Sequence, residues 1–522
     1  MDFSTRLPRK LYRADQIRKL DQIAIEEFGI SGFNLMHTAA TVAFNTLLEK
    51  WPQTRYVQIF AGSGNNAGDG YIVAGLAHDQ GIGVEVIQLS DPQKLQGDAK
   101  KAWQWAQQRQ VEMAGFSNFN PQRQTEHANT VIVDALLGTG LDRAVAGDYK
   151  SAIEYINSTS SPVVAIDIPS GLSADTGQSF GTTVIADLTI TFIAMKQGML
   201  TNEGRDFVGE IIYHDLDVPK EVFQADSAPL PSATRIDINY ISHNLRPRAR
   251  SSHKGTHGHV LIMGGDYSYG GAVIMAAEAA QRSGAGLVSV ITRSTHRSAM
   301  LARRPEIMVV GTEDESPQLD SVLSKASVIV IGPGLGRSMW GRELLQQALS
   351  TQMANKTPLV IDADALHLLA GKNHQGQTSA GSNIKRDNWI LTPHPGEAAA
   401  LLNCSIAEIQ ADRFLAVRNL NKTWGGVCLL KGSGSLICAD QQQSLFLSSE
   451  GNAGMASGGM GDVLSGLVAS LVAQGLSLEQ SLCSAVCIHG EAADLSMEAN
   501  GQRGMVATDL FPYIRQLVNP VF

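Results

Sequence analysis

Cysteine is absent before position 404, and only five occur in all: Cys404, Cys428, Cys438, Cys483 and Cys487. No two of them form a CxxC pair. Cys483 and Cys487 lie four apart in an expected helix, so a metal pair is conceivable, but buried free thiols in a reducing compartment are the better reading. Long apolar runs are missing too. No run approaches the ~20 residues of a membrane span, and the opening "MDFSTRLPRKLYRADQ" lacks the apolar core of a signal peptide. A cytoplasmic location is expected, with no membrane partner. Positive charge is also scarce: 41 Lys and Arg against 50 Asp and Glu give a net charge of −9. A general nucleic-acid binder would normally present a basic face, so nucleic acid is not an expected partner. A Walker A loop, GxxxxGK[ST], is absent as well.

The 522 residues are 43% hydrophobic and 17% charged, which suits two or more domains with sizeable cores. In the first half, "YVQIF" (Tyr56 to Phe60), "VEVIQL" (Val84 to Leu89), "TVIVDALLG" (Thr130 to Gly138), "VVAIDIPSG" (Val163 to Gly171), "LTITFIA" (Leu188 to Ala194) and "EIIYHDL" (Glu210 to Leu216) read as buried strands. Stretches of helical length separate the earlier ones. In the second half, "HVLIMGG" (His259 to Gly265), "GLVSVIT" (Gly286 to Thr292), "VIVIGPG" (Val328 to Gly334), "PLVIDADAL" (Pro358 to Leu366), "WILTPHPGE" (Trp389 to Glu397) and "GVCLLKG" (Gly426 to Gly432) repeat the pattern. The fold class is therefore α/β, with two domains built on mainly parallel sheets. A stretch without clear period, containing Pro219, Pro229 and Pro231, parts them. The expected division is 1–222, a linker at 223–232, and 233–522. In open α/β sheets ligands lie outside the carboxyl ends of the strands. The polar and glycine clusters of both halves fall there, which makes two candidate sites.

In the first half, "AGSGNNAGDG" (Ala61 to Gly70) follows a strand, and backbone N–H groups in such a turn can cradle a phosphate. A plain βα connection remains the alternative, although a turn alone needs no cluster like Asn65, Asn66 and Asp69. Asp134 and Asp167 end two further strands, the latter followed by Ser170. These hard oxygen donors suit a hard cation or a polar sugar. "GNNAGDG", "VDALLGTGLDR" and "DIPSGLSADTG" together resemble the NAD(P)H-hydrate epimerase domain over roughly residues 10 to 220. The resemblance implies a Rossmann-like domain that interconverts the R and S forms of NADHX and NADPHX, nicotinamide rings hydrated at C6. It implies a potassium ion on Asn66, Asp134 and Ser170. It also implies dinucleotide contacts from Asn65, Asn66, Ala67, Gly68 and Asp69, from Gly138, Thr139, Gly140, Leu141, Asp142, Arg143 and Ala144, and at Asp167. Asp167 is the first choice for the group that handles C6. Lys196 is second, since a lysine there can simply be solvated. Two positions depart from the family: Ala67 stands where glycine is usual, and Ser173 where aspartate is common. A methyl at 67 requires a negative φ.

In the second half, two prolines flank His394 in "TPHPGE" and restrain its backbone. "KGSGS" (Lys431, Gly432, Ser433, Gly434, Ser435) offers phosphate donors but is equally a hairpin turn, because "LICAD" (Leu436 to Asp440) follows as another strand. "GNAGMASGGMGDVLSG" (Gly451 to Gly466) places Asp462 where a glycine-rich turn becomes a helix. Helix N-terminal amides stabilise anions, and an adjacent carboxylate can act as a base; the alternative is that Asp462 only caps the helix. These stretches, with "GPGLG" and "DADAL", resemble the ADP/ATP-dependent NAD(P)H-hydrate dehydratase domain over about residues 233 to 520. The resemblance implies a ribokinase-like fold that removes water from the S epimer, driven by nucleotide hydrolysis. Asp462 would be the base. Ala272, Gly334, His394 and Asp462 would face the hydrated dinucleotide, while Lys431 to Ser435 and Gly461 would face ADP or ATP with Mg2+. Here "MASGGMGD" stands where "GTGGMGD" is common. ADP is the expected nucleotide and a homo-oligomer the expected assembly. A small-molecule kinase with an accessory N-terminal domain, or a non-catalytic nucleotide-sensing N-terminal module, are the competing readings.

Overall fold

The computed structural model describes residues 7–119, 128–314, 319–371, 385–439 and 444–519. The chain falls into two compact units, Met1–Thr234 and Arg235–Phe522. The division comes just after the expected linker.

The first unit is built on a seven-stranded sheet in the order Glu112–Gly115, Gly83–Gln88, Tyr56–Ala61, Thr130–Ala135, Val163–Ile166, Leu188–Phe192 and Glu210–His214. Every pairing in it is parallel. The strands are buried on both faces because their side chains alternate between two apolar clusters. Val57, Ile59, Val131 and Val133 join the helices Ala14–Glu26, Gly32–Lys50, Asn65–Asp79 and Gly97–Gln108. Phe60 and Ile132 point the other way, onto Ile153 and Ile156 of helix Gly147–Ser158. The edge strand Glu112–Gly115 escaped the sequence reading; its residues are partly exposed or exposed, so it lacks the continuous apolar run that marked its neighbours. A separate short strand, Met195–Lys196, lies parallel to Lys10–Tyr12 with Tyr12 opposite Lys196.

In the second unit the sheet runs Met308–Gly311, Leu287–Thr292, His259–Met263, Val328–Ile331, Leu359–Ile361, Trp389–Leu391, Val427–Leu430, Ser435–Cys438 and Leu445–Ser448. It is parallel up to Val427–Leu430, and the last two strands are antiparallel additions. Val260, Ile262, Val328, Val330 and Ile390 pack on one core with Met460–Ala473 and Leu478–Asn500. Helix Met460–Ala473 is almost wholly buried and correspondingly apolar, whereas Leu478–Asn500 is buried mainly in its middle. Several strands end sooner than their apolar stretches suggested. "DADAL" passes from strand into helix Ala363–Ala370, and "PHPGE" opens helix Pro395–Leu402. "LICAD" forms Ser435–Cys438, with Asp440 outside the described residues.

Candidate functional site

In the first unit the strand order reverses between Tyr56–Ala61 and Thr130–Ala135, which lie in register from Tyr56 opposite Thr130 to Ala61 opposite Ala135. Connections leave to opposite faces there and open a crevice at the carboxyl ends. Glycine is required at 62, because a Cβ would lie 1.9 Å from the Leu136 carbonyl oxygen. The glycine-rich run is not one long turn: helix Asn65–Asp79 begins at once, N-capped by Gly64. Asn65 to Asp69 are its first turn, so their leading amides lack intrahelical partners. Gly68 and Gly70 serve packing, since Cβ atoms there would come within 2.5 Å of Met36 Sδ and 2.7 Å of Ala135 Cβ. Ala67 is helical and fully buried, which meets the condition set by its methyl group.

Asp134 is fully buried at the end of its strand. Its carboxylate accepts hydrogen bonds from Ser170 Oγ at 2.6 Å, the Ser170 amide at 2.7 Å and the Leu136 amide at 3.2 Å. Burial pushes it up to about 6, with those bonds opposing the rise. Asn66 donates through Nδ2 to the Leu137 carbonyl at 3.3 Å, while its Oδ1 is buried without a hydrogen-bond partner. Asn66 and Ser170 both bond Leu137, so the three expected ion ligands do gather. The position of a Gly138 Cβ lies 3.5 Å from Asn66 Cβ, placing the start of the loop 138–144 over it. Asp142, Arg143 and Ala144 are exposed. Leu141 instead packs against the apolar cluster that contains Phe60 and Ile132.

Asp167 has φ +69°, a strained value for a non-glycine residue. That conformation turns its carboxylate toward Lys196, which donates to it in a close ion pair. The expectation that Lys196 could be solvated is overturned: it is 1% exposed and also donates to Thr191 Oγ1 at 2.9 Å and the Phe192 carbonyl at 3.2 Å. Asp69 joins this pair electrostatically, its carboxyl pushed well up by burial and by the charges of Asp167 and Asp21. Asp21 was not singled out in the sequence.

In the second unit, Asp362, Thr392 and Lys431 each directly follow one of three adjacent parallel strands. Asp362 is buried and accepts from Lys431 Nζ at 2.8 Å, Ser465 Oγ at 2.6 Å and Thr392 Oγ1 at 2.8 Å. These partners hold it below the usual carboxylate range despite its burial. Lys431 lies 3.8 Å from Glu397 and is held above its ordinary value by both acids and, more weakly, by Asp462. Its ammonium thus faces the carboxylates of Asp362 and Glu397. Asp362 and Ser465 were missed; "DADAL" carried the first as a motif without a role.

Lys431 to Gly434 is a hairpin turn between antiparallel strands, with Gly432 at φ +144° and Gly434 at φ +64°. Buried Arg413 secures it by donating to the carbonyls of Leu430, Lys431 and Gly434 at 3.4, 3.4 and 3.3 Å. Gly432 and Ser433 are exposed, and Ser435 is partly so.

Asp462 stands in the first turn of helix Met460–Ala473, whose N-cap is Gly459 at φ +90°. It is therefore not the cap. Burial, then Asp362, raises its carboxyl to about 7, with Lys431 opposing. A Cβ at Gly461 would sit 3.4 Å from both Asp362 Oδ2 and Lys431 Nζ, so this helix start lies against the ion pair. Gly334, at φ +56°, packs so closely that a Cβ would be 2.5 Å from the Tyr269 carbonyl and 3.1 Å from Ala272 Cβ. Gly334 and Ala272 thus meet beside the reversal of strand order between His259–Met263 and Val328–Ile331.

His394 is the N-cap of helix Pro395–Leu402: its Nδ1 accepts from the Gly396 amide at 2.9 Å and the Glu397 amide at 3.3 Å. Glu397 completes the capping box by accepting from the His394 amide at 2.8 Å. Burial and Lys431 lower the imidazole's proton affinity. A neutral ring that accepts at Nδ1 carries its proton on Nε2, which lies 3.4 Å from Glu397 Oε1. Among the described residues, His367, His394 and Glu397 form the cluster with metal-ligand spacing. The protonated Nε2 and the occupied Nδ1 leave His394 no lone pair for a metal. All five cysteines are free thiols.

Fold and sites together define an α/β enzyme of two units, each with its polar site at the carboxyl ends of parallel strands. Residues 260–516 match the family described as NAD(P)H-hydrate dehydratase, and residues 32–198 the YjeF-related protein N-terminus. The Bifunctional NAD(P)H-hydrate repair enzyme Nnr of Coxiella burnetii is 43% identical over 513 residues, covering 98% of this chain and 99% of that one. Its Escherichia coli counterpart is 40% identical, covering 98% and 95%. A ribokinase-like superfamily protein of Enterococcus faecalis superposes with a TM-score of 0.50 at 30% identity, covering 55% of this chain and 95% of that one. The chain belongs to the bifunctional NAD(P)H-hydrate repair enzymes.

Proposed function

We propose that the unit Met1–Thr234 interconverts the R and S forms of NADHX and NADPHX, and that Arg235–Phe522 returns the S form to NADH or NADPH while hydrolysing a nucleotide, ADP to AMP and phosphate. The observation that carries the second activity is Asp462, a half-buried carboxyl near neutrality at a helix start beside the Asp362–Lys431 pair. Hydroxide is a poor leaving group from C6. Asp462 takes the proton of the C6 hydroxyl as its oxygen attacks the terminal phosphorus, and the bond to the departing nucleotide breaks. The C5 proton then passes to solvent water, its C–H electron pair forms the C5=C6 bond, and phosphate leaves with the C6–O electron pair. Amides at the start of helix Met460–Ala473 face the transferred charge. Lys431, fixed by Asp362, adds one cation to that field. His394 presents Nε2–H as a donor to the hydrated dinucleotide beside Gly334 and Ala272, while the hairpin 431–435 and Gly461 approach the nucleotide. Mg2+ would arrive on the nucleotide's phosphate oxygens with most of its waters kept. When bound, that ion neutralises phosphate charge.

In the first unit, the unpartnered Asn66 Oδ1 and the Asp134 carboxylate, buried without a charged partner among the described residues, fit a potassium ion shared with Ser170. When bound, it fixes the crevice that receives the dinucleotide. The first-turn amides from Asn65 to Asp69 and the loop 138–144 line that crevice. Asp167 handles protons at C6, with Lys196 holding its charge. A cytoplasmic location, in keeping with the free thiols, and a homo-oligomeric assembly belong to the same reading. Supplying the protein with S-NADHX and ADP should restore NADH absorbance with AMP and phosphate formed in equal amounts. A stable phosphorylated product without NADH would instead indicate a kinase.

A further inference from the structure

In the second unit, Arg293 directly follows strand Leu287–Thr292, Tyr267 lies in the loop after His259–Met263, and Trp340 opens helix Met339–Asn355 after Val328–Ile331. The guanidinium carbon of Arg293 sits 4.4 Å from the ring centre of Tyr267 and 4.2 Å from that of Trp340. Arg293 donates through Nε to Asp266 at 2.8 Å and through Nη1 to Glu313 at 2.7 Å. Trp340 donates to Thr312 Oγ1 at 3.1 Å. Asp266 also accepts from Ser338 Oγ at 3.0 Å and from the Tyr267 amide at 2.9 Å. The guanidinium is therefore fixed, and by lying over one face of Tyr267 it fixes that ring in turn. Yet Tyr267 is 60% exposed, so its other face is open to solvent, and Tyr269 and Met339 nearby are 57% and 76% exposed. Ser268, between the two tyrosines, has φ +69°, a strained value for a non-glycine residue. Core packing gains nothing from a strained loop that leaves both rings outside, whereas a ligand platform does. The same loop meets the subsite assigned to the hydrated dinucleotide. The Asp266 amide donates to the Gly334 carbonyl at 2.7 Å, and a Cβ at Gly334 would lie 2.5 Å from the Tyr269 carbonyl oxygen. Across the sheet the parallel strands run Leu287–Thr292, His259–Met263, Val328–Ile331, Leu359–Ile361, Trp389–Leu391 and Val427–Leu430. The nucleotide-facing hairpin follows the last of these. A dinucleotide with its reacting ring between Gly334 and His394 therefore extends its other half over the first two. Neighbouring strands are about 4.8 Å apart, and the Tyr267 loop is one strand beyond Gly334.

We propose that Tyr267 is the residue on which the adenine of the hydrated dinucleotide stacks, its ring held by Arg293 so that little side-chain freedom is lost on binding. This rests on the reading that the second unit dehydrates S-NAD(P)HX. Water added across C5=C6 leaves C4, C5 and C6 of the nicotinamide ring tetrahedral, so adenine is the flat aromatic ring this substrate brings. The reacting end is then placed by His394, Gly334 and Ala272, and the distant end by an aromatic face.

The test compares S-NADHX with hydrated nicotinamide mononucleotide, which carries the same reacting ring without the adenylate, using the full chain and saturating ADP. Tyr267→Ala should raise KM for S-NADHX about 10-fold with kcat little changed, the size expected for a lost stacking contact. Its KM for ADP should stay in place. With the mononucleotide, Tyr267→Ala and wild type should give the same kcat/KM. Tyr267→Phe, which keeps the ring, should match wild type with both substrates. Where the mononucleotide turns over too slowly, direct titration of the two ligands gives the same comparison. An unchanged KM for S-NADHX in Tyr267→Ala overturns the proposal, whether or not the assembly of the protein changes. An equal loss with both substrates also overturns it, because that marks a disturbed loop rather than a lost stack. A raised KM for ADP alone would put the ring under the other nucleotide and overturn it too. If Tyr267→Ala fails to fold, Tyr267→Leu decides on the same comparison. Failure of wild type to dehydrate S-NADHX would instead refute the underlying assignment of the unit.

Discussion

Lys431 reaches Asp362 across 2.8 Å, and the carboxylate it meets is 1% exposed. Each comes directly after one of two parallel strands, with Trp389–Leu391 between those strands. The sheet itself sets their separation. A buried pair of this kind is weak evidence of stabilisation, but removing one partner strands the other.

Asp362→Asn is accordingly expected to lower the melting temperature of the second unit and to reduce dehydration by at least ~10-fold, with epimerisation intact. Breaking a buried pair typically costs about 3–5 kcal/mol. The pH dependence follows from the sign of the shift. Asp362 is depressed in the folded state, so its stabilisation is present above the unfolded carboxylate value and is lost as pH falls through the folded one. Thermal melts of wild type and variant should therefore converge in acid. Parallel melting curves across the whole range would refute this role.

Asp462 carries the opposite shift. Its carboxyl, raised to about 7, binds a proton in the folded chain that the unfolded chain has already lost between about pH 4 and 7. Stability falls as pH rises through that window, and the ionised form needed for a base appears at its upper end. Asp462→Asn should therefore raise the melting temperature by a few degrees at pH 7.5 while dehydration drops ~10²–10⁴-fold. Wild-type dehydration should rise with pH through about 7. A variant that is both less stable and still active would remove Asp462 from the base role.

The sequence made the parallel sheets legible because buried strands such as Val163–Ile166 and Val328–Ile331 are uninterrupted apolar runs dominated by β-branched residues. It made Asp134, Asp167 and Asp462 legible because each interrupts an apolar or glycine-rich stretch at an element boundary. It failed where a residue matters through partners distant in the chain. Arg413 looks like an ordinary helix-start arginine until the hairpin after the next strand folds over it. Lys196 reads as either a catalytic group or a solvated lysine, because nothing local shows that Asp167 lies against it. Asp21 did leave a signal, a carboxylate on an apolar helical stripe, and the period of that helix was the means to find it. Helix Asn65–Asp79 starts inside the glycine-rich run, where Gly68 and Gly70 make room for Met36 and Ala135 rather than forming a turn.

His394 combines a cap with an outward donor, and substitution can separate the two. His394→Ala should lose the cap, about 1 kcal/mol, and weaken the hydrated dinucleotide more than ADP in direct titration. His394→Asn, a good N-cap, should recover the stability but not the hydrate affinity. Loss of ADP binding with hydrate affinity intact would place this histidine in the other subsite.

The crevice of the first unit makes the most demanding prediction, because an ion is inferred from what its ligands lack. Asn66 Oδ1 is buried and unpartnered, and an unsatisfied amide oxygen destabilises a fold by about 1–3 kcal/mol. Asp134 is fully buried with hydrogen bonds from Ser170 and Leu136. One monovalent cation would satisfy the first and compensate the second, while the single carboxylate argues against a divalent ion. Melting of the first unit should therefore rise in potassium over sodium, and over a bulky organic cation, at fixed ionic strength. R-to-S conversion should follow the same order. Asp134→Ala should impair conversion and abolish the potassium dependence of melting, with dehydration spared. Asn66→Leu, which replaces the unpartnered oxygen with an apolar side chain of similar size, should flatten the ion dependence while costing less stability than Asp134→Ala. Equal melting and equal rates in all three salts would leave Asp134 as a structural acid and take the ion out of the mechanism.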